Sequence, residues 1–536
     1  MDYYVEEFTK AERTALRRHV SNLDSPVFAL TGLPQITAAA LFARYSRSSK
    51  SLRRLLLDEF LDADGDISMA STHAGADRAA ALFGRVLADY GDDSVAQLGG
   101  AHIACEQVSQ PLAKAIEWGR LAAYLEQSTR YIPYTDRRDG QYRYYRDPEV
   151  LASAWGPRYT AAMDGLFDTY AAVLDPLQQH LDATLAQESD GAARKRALRA
   201  LALDIARSLL PSGTVSNVGV FASGQALEQM VMRLRAHPLP EAQRYAELIR
   251  NELAGALPDF VSRLDRPDRG GAWVDYLRDT AASLSRAVGE IGRDASLGVA
   301  SPASSTRADH VRLLEWDEEA ELHVVAAALY PHSEAGLDEL TAVIGGLAPD
   351  RLDTLFAAAV GGRGNRRHRP GRGFEHADYT FEVVSDYGAF RDLQRHRLLT
   401  IDWQRLTPSL GSAVPEAIVA CGWGDRWAAA VDQATDVHDA IRDAFPQQAQ
   451  YLVTLGHRIR YVIRMNAREA MHMIELRTSP QGHPSYRRIC LDMHRLIRDV
   501  AGHRRIAGAM RFVGKDDVHL PRYAAEARQT ADLSPG

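Results

Sequence analysis

The feature that most constrains this chain is a pattern that occurs twice, on either side of a structureless-looking middle. Residues 292–309 are rich in small residues and turn formers and carry neither helical nor strand periodicity. Downstream of them, Ala377, Tyr379, Phe381 and Val383 alternate with Asp378, Thr380 and Glu382 in the stretch that opens at Phe374, the spacing of a half-buried strand. A short helix is expected from about Asp386, with Phe390 and Leu393 on one face, ending in Arg395-His396-Arg397. Upstream, residues 97–106 alternate Ala101, Ile103 and Cys105, and a helix starting near Ser109 is expected to run past Arg120 and Tyr124 and end before Arg130-Tyr131. Strand, helix and arginine-rich helix end thus recur, with Arg120 placed on Arg397 and Gln97 on Glu375.

A second pair of blocks follows. Asn466-Ala-Arg-Glu469 has a capping-box spacing and leads into an amphipathic helix to Arg477. Its counterpart is 224–235, with Gly224 placed on Asn466, so the first copy carries extra residues between its blocks, assigned to the tyrosine-rich stretch around 134–170. A chain of 536 residues is too long for one core. The repeat divides it into a first domain over 1–291, a linker over 292–309 and a second domain over 310–536. Each is expected to be α/β (α+β), a mixed or antiparallel sheet packed with helices.

Composition narrows the function. With 63 basic and 70 acidic residues the net charge is −7, so no global positive field attracts nucleic acid. Only Lys10, Lys50, Lys114, Lys195 and Lys515 are lysines, so arginine dominates the basic residues. Arg-His-Arg is then expected by chance roughly 0.2 times in such a chain. It occurs at 367–369 and at 395–397, and neither triplet is diagnostic alone; the first reads as a product of composition. Cys105, Cys421 and Cys490 are odd in number and far apart, which fits a reducing compartment without a disulfide framework or Cys-based zinc site, and they read as core residues in helical surroundings. The N-terminus lacks the features of a signal peptide and no run is long and apolar enough to cross a bilayer, so a cytoplasmic protein without a membrane partner is expected.

The polar residues of these blocks admit two readings each. Arg395, His396 and Arg397 could neutralise phosphates, since guanidinium is a permanent, bidentate donor, or form a solvated helix C-terminus. Asn466 is a good N-cap with or without a ligand. Arg468 and His472, four apart on one helix face, could meet a ligand together or be exposed. Ser128 and Arg130, two apart, would point the same way in an extended turn, as a phosphate clamp requires, or belong to an ordinary turn. Glu126 could order that clamp or be a surface carboxylate.

Together these blocks resemble the flavin-dependent thymidylate synthases, whose hallmark is R-H-R-x-x-S-x-N-E-x-S-x-R-Y after a strand resembling F-E-H-x-x-F-T-F. The second copy has Phe374-Glu375-His376 and Arg395-His396-Arg397-Leu-Leu-Thr400, then departs from the motif; the first copy lacks Arg-His but keeps Glu126, Ser128, Arg130 and Tyr131. The family's Asn-x-Arg pair with a later His is present as Asn466, Arg468 and His472, where the first copy offers Gly224, Ala226 and Met230. The family's A-R-x-x-L-P element is present as Ala206-Arg207 to Pro211 in the first copy, with Gln450 near that position in the second. An arginine late in the following helix is kept in both, as Arg235 and Arg477, and Ser46 resembles a further flavin contact.

The resemblance implies two tandem, complementarily decayed copies: a nucleotide-binding half-site of Glu126, Ser128, Arg130, Tyr131, Arg207, Arg235 and Arg477, and a flavin-binding half-site of Ser46, Glu375, Arg395, His396, Arg397, Asn466, Arg468 and His472. It implies reductive methylation of C5 of dUMP to dTMP with FAD, with NADPH and methylenetetrahydrofolate as co-substrates, no protein nucleophile and no metal. Because family members resemble homotetramers, it also implies a homodimer forming a pseudo-tetramer. Where the family often has His before its F-E-H strand, this chain has Asp92 and Pro370, which leaves the carbon donor and acceptor base open. A non-catalytic nucleotide-binding pseudoenzyme and a related flavoenzyme acting on another pyrimidine nucleotide are the alternatives.

Overall fold

The computed structural model describes residues 6–45, 48–62, 65–66, 97–185, 191–294 and 308–514. Strands β1 (Gly100–Val108), β2 (Ala122–Glu126) and β3 (Ser216–Ser223) form one sheet in the order β1-β3-β2. Strands β4 (His310–Trp316), β5 (Asp378–Asp386), β6 (Thr400–Trp403) and β7 (Arg458–Asn466) form a second in the order β4-β5-β7-β6. The pairings β2–β3, β4–β5, β5–β7 and β6–β7 are antiparallel. The fold is therefore the mixed helix and antiparallel-sheet class expected, one sheet in each copy.

The alternation that predicted β5 holds, since Tyr379, Phe381 and Val383 are fully buried. Each such side chain contributes about 1.5–3 kcal/mol on burial. The strand begins only at Asp378; Phe374-Glu375-His376 lies in the one-turn 3-10 helix Arg372–His376. Asp386 then caps the helix Tyr387–Leu393 through the Ala389 N–H (2.7 Å). In the first copy Ser109 caps Gln110–Ile116 in the same way. That helix does not run on to Tyr124 as expected: residues 122–126 are β2, because pairing with β3 outweighs the weak helical pattern after Gly119. The cysteines are also not all helical, Cys105 lying in β1.

The chain forms two compact units that do not follow the repeat. The first comprises the described parts of Met1–Glu106, Gly119–Glu126 and Asn217–Leu297, with the three-stranded sheet and the helices Gly224–Ala236, Pro240–Ala256 and Ala272–Asp294. The second comprises the described parts of Gln107–Trp118, Gln127–Ser216 and Gly298–Gly536, so it holds the four-stranded sheet together with a large piece of the first copy. The predicted linker ends in ordered structure: Ala272–Asp294 enters it, Asp309 pairs with Arg458 (2.9 Å), and residues 295–307 lie outside the described residues.

Within the second unit, equivalent segments of the two copies pair reciprocally. The Ser212 N–H donates to Val453 O (2.8 Å) and the Leu455 N–H to Leu210 O (2.9 Å); the Gly213 N–H donates to Tyr451 O (2.9 Å) and the Gly456 N–H to Ser208 O (3.0 Å). A side chain at Gly456 would put its Cβ 2.9 Å from Ser208 O, and one at Gly213 would meet Met163 Cε at 2.7 Å and Tyr451 Cβ at 3.1 Å, so both positions are tight. Gly213 thus matches Gly456. Continuing that register, Ser223 matches Asn466, and each caps its following helix. This corrects the sequence alignment by one residue: the counterparts of Asn466, Arg468 and His472 are Ser223, Gln225 and Gln229, and Arg477 matches Leu234 rather than Arg235.

Candidate functional site

The second unit gathers arginines from both copies around two buried carboxylates. Arg130, in the turn after β2, donates from Nε and Nη2 to the two oxygens of Asp204, each at 2.9 Å, and Nη1 lies 3.4 Å from Tyr486 Oη. Asp204 ends the helix Ala192–Ala206, and Arg207, in the next turn, returns to it with Nε 3.2 Å from Oδ1. Arg207 Nη2 also faces Asp392 at 3.8 Å. Arg395 and Arg477 each approach Asp392 Oδ1 at 3.9 Å. His483 Nε2 stands 4.0 Å from Asp204.

Burial alone would raise the Asp392 carboxyl, but Arg207, Arg395, Arg477 and Arg130 hold it well below the usual carboxylate range. Asp204 is likewise desolvated yet lowered, by His483, Arg207 and Arg130. Both carboxylates are therefore ionised at neutral pH. Four guanidinium groups thus converge on two carboxylates, with Asp386 and His483 adjoining them. Among them Arg207 Nη2 is buried without a hydrogen-bond partner, an arrangement that is costly unless an anion completes it.

Beside this cluster the N-terminal end of the helix Ala467–Arg477 organises a second set of residues. Asn466 caps it through the Glu469 N–H (2.9 Å). The Glu469 side chain does not close the capping box; its Oε1 instead lies 2.8 Å from His396 Nδ1. Arg477 Nε donates to His396 Nε2 (3.0 Å), so that nitrogen is unprotonated and the proton sits on Nδ1, facing Glu469. Burial, with Arg477 and Arg369 nearby, pushes the imidazole well below its usual range, in agreement with a neutral ring. The His472 ring centroid is 5.4 Å from that of His396, and burial pushes His472 down to about 4. Arg468 donates from Nε to Pro370 O (2.8 Å) and pairs through Nη1 with Glu375 (3.3 Å), which also pairs with Arg372 (2.9 Å).

The structure thus brings together Arg130, Arg207, Arg395, His396 and Arg477 in one network, and Glu375 with Arg468 next to Asn466. Arg397 is exposed just beyond His396. Ser128 Oγ accepts the Arg130 N–H (3.2 Å), which makes the pair a turn rather than an extended clamp, and Tyr131 is half exposed beside the Arg130 guanidinium. Glu126 and Arg235 belong to the first unit. Arg235 is held there by Glu247 (2.7 Å) and Asp265 (3.1 Å), and Glu126 is buried at the end of β2. Ser46 lies outside the described residues.

Sequence reasoning missed the acids of the cluster. Asp204 and Asp392 each stand three residues before an arginine at a helix end, and that Asp-x-x-Arg spacing, present in both copies, was the available signal. His483 and Tyr486 carry no comparable signal. His396, Glu469 and His472 lie close enough to share an ion. Both nitrogens of His396 are already hydrogen-bonded, however, and Arg477 and Arg369 oppose a further cation.

The family model described as "Thymidylate synthase complementing protein" matches residues 34–259 and 312–502. Two relatives described as UPF0159 proteins match over nearly the whole length: one from Chlamydia muridarum, 35% identical, covering 98% of this chain and 99% of the relative, and one from Thermoplasma acidophilum, 30% identical, covering 92% and 98%. A crystal structure of the UMP/dUMP methylase PolB from Streptomyces cacaoi, bound with 5-Br dUMP, aligns with 17% identity and a TM-score of 0.30 over 39% of this chain and 98% of its own. Among the described residues no helix is long and apolar enough to cross a membrane.

Proposed function

The chain belongs to the thymidylate synthase complementing protein family as a tandem duplication, and on that premise we propose that it is a flavin-dependent thymidylate synthase, methylating C5 of dUMP with FAD, NADPH and methylenetetrahydrofolate. The proposal includes the repeat boundaries of 1–291 and 310–536, a homodimer that forms a pseudo-tetramer, and one site per chain.

The observation that carries this reading is the convergence of Arg130, Arg207, Arg395 and Arg477 on Asp204 and Asp392, with Arg207 Nη2 buried and without a hydrogen-bond partner. A nucleotide 5′-phosphate bears about two negative charges at neutral pH and accepts from several donors at once. Arg130 and Arg207 are the phosphate ligands, and Arg477 orders the opposite side. Arg235 belongs to the first unit and is not among the residues around Asp204 and Asp392, so it has no part in this cluster.

The residues around Asn466 fit a flavin. Asn466 Nδ2 and Arg468 Nη2 make no hydrogen bond among the described residues, so a helix N-terminus offers two polar donors beside the neutral rings of His396 and His472. Bound FAD would supply the electron-transfer chemistry that side chains lack. Asn466, Arg468, His396 and His472 would hold it, with Glu375, Arg395 and Arg397 around them. Arg477 fixes the His396 tautomer, and Glu375 sets the Arg468 side chain by pairing with Nη1. No cysteine supplies a thiolate: burial pushes Cys105 up to about 11 and Cys490 up to about 12, and also raises Cys421. A mechanism that needs no thiolate nucleophile accords with this.

The test is tritium release from C5-labelled dUMP by the FAD-loaded protein with NADPH and methylenetetrahydrofolate. Release dependent on all components is expected; FAD and dUMP binding without release would instead identify a nucleotide-binding protein without turnover.

A further inference from the structure

The first Arg-His-Arg triplet, which composition alone explains, lies in a built loop at the candidate flavin site. Arg363 anchors the loop: Nη1 and Nη2 donate to the two oxygens of Glu475 (2.9 and 2.6 Å), Nη1 also donates to Ala509 O (2.7 Å), and Nε donates to His368 O (2.6 Å). Arg363 and Glu475 are both buried. The loop is braced internally by the Gly364 N–H on His368 Nδ1 (3.2 Å) and the Arg367 N–H on Asn365 Oδ1 (2.9 Å). Its far end is tied to the flavin candidates, since Pro370 O accepts from Arg468 Nε (2.8 Å).

On this scaffold stand Arg366, Arg367 and Arg369. Among the described residues none of the three has a carboxylate within ion-pair distance. Three guanidinium groups within four residues of one braced loop make a local concentration of positive charge that favours an anion. Arg369 and Arg366 are also close enough to His472 to help hold it neutral, which places their charge beside the flavin candidates.

We propose that the loop 363–372 binds the 2′-phosphate of the reduced pyridine dinucleotide, with Arg366, Arg367 and Arg369 as its ligands. A phosphate monoester is the chemistry that guanidinium forks take best, and a 2′-phosphate is the group that separates NADPH from NADH. The proposal rests on the flavoenzyme reading for the identity of the dinucleotide, but its test is direct binding and does not need turnover.

NADPH and NADH are titrated separately into the full-length protein by calorimetry, for the wild type and for the exposed-loop variants Arg369→Gln and Arg366→Gln/Arg367→Gln, with FAD content and dUMP affinity measured on the same preparations. The wild type is expected to bind NADPH at least tenfold more tightly than NADH. Each variant should reduce that ratio to about two or less, leaving NADH, FAD and dUMP binding within about twofold. Equal binding of NADPH and NADH by the wild type would overturn the proposal, as would variants that lose FAD while keeping the NADPH preference, which would assign the loop to the flavin phosphates. A wild type that prefers NADPH but takes up no flavin leaves this site standing and removes the function proposed above.

Discussion

Arg130 and Asp204 form a two-bond pair, 2.9 and 2.9 Å, between the turn after β2 and the end of the helix Ala192–Ala206, and Asp204 is simultaneously held by Arg207. Removing one partner of such a pair leaves a buried charge, which costs about 3 kcal/mol or more. Arg130→Ala should therefore destabilise the fold, and Asp204→Asn in the same chain should restore most of that loss. Nucleotide affinity should stay depressed by about 10- to 100-fold in the double variant. Denaturant unfolding and dUMP titration check the two halves; recovery of dUMP binding along with stability would remove Arg130 from the phosphate site.

The complementary substitution lies at the other ligand. Arg468→Ala should lower FAD retention by about tenfold or more, from the loss of one charge-assisted donor, while dUMP affinity changes by less than about twofold. Flavin content after gel filtration, read beside a dUMP titration, is the measurement. Equal losses of both ligands would contradict the division of the site.

The pairing of the two copies makes its own prediction. Gly456→Ala places a methyl group 2.9 Å from Ser208 O, against backbone that cannot swing aside. A loss of about 1–3 kcal/mol is expected in urea unfolding. A change below about 0.5 kcal/mol would show that this segment is not held as closely as described.

His457 gives the structure a pH dependence. Burial first, then His438 and Arg458, push it down to about 4, and its Nδ1 accepts from the Thr454 N–H (3.0 Å). Its folded value lies below the unfolded value of about 6.5, so as pH falls the unfolded chain takes up the proton first. The stability contributed by neutral His457 is complete above about pH 6.5 and is lost progressively toward pH 4, by about 3 kcal/mol. His457→Asn, which keeps an acceptor, should flatten the stability profile across that window; an unchanged slope would exclude His457 as its source.

Much of this architecture was legible in the chain. The alternation of Tyr379, Phe381 and Val383 specified β5, and Asp386, Ser109 and Asn466 announced their helices because capping is a local interaction. What failed was non-local. Residues 122–126 became a strand because β3 lies beside them, and the one-residue error between the copies escaped because Gly224 and Asn466 both suit a helix start. Among site residues, the arginines stood out by type, whereas Asp204 and Asp392, which organise them, became visible only when chain segments far apart in sequence met. Arg235 shows the reverse case: its place in a helix suggested a ligand contact, but Glu247 and Asp265 occupy it.

The central claim is that one site in each chain holds a flavin and a nucleotide together. It is tested most directly by equilibrium titration of FAD-loaded protein with dUMP, following the flavin absorbance and counting both ligands per chain. One FAD and one dUMP per chain, with a flavin spectrum that shifts as dUMP binds, is the predicted result. Two nucleotides per chain, a flavin spectrum indifferent to dUMP, or a protein that cannot be loaded with FAD would contradict it.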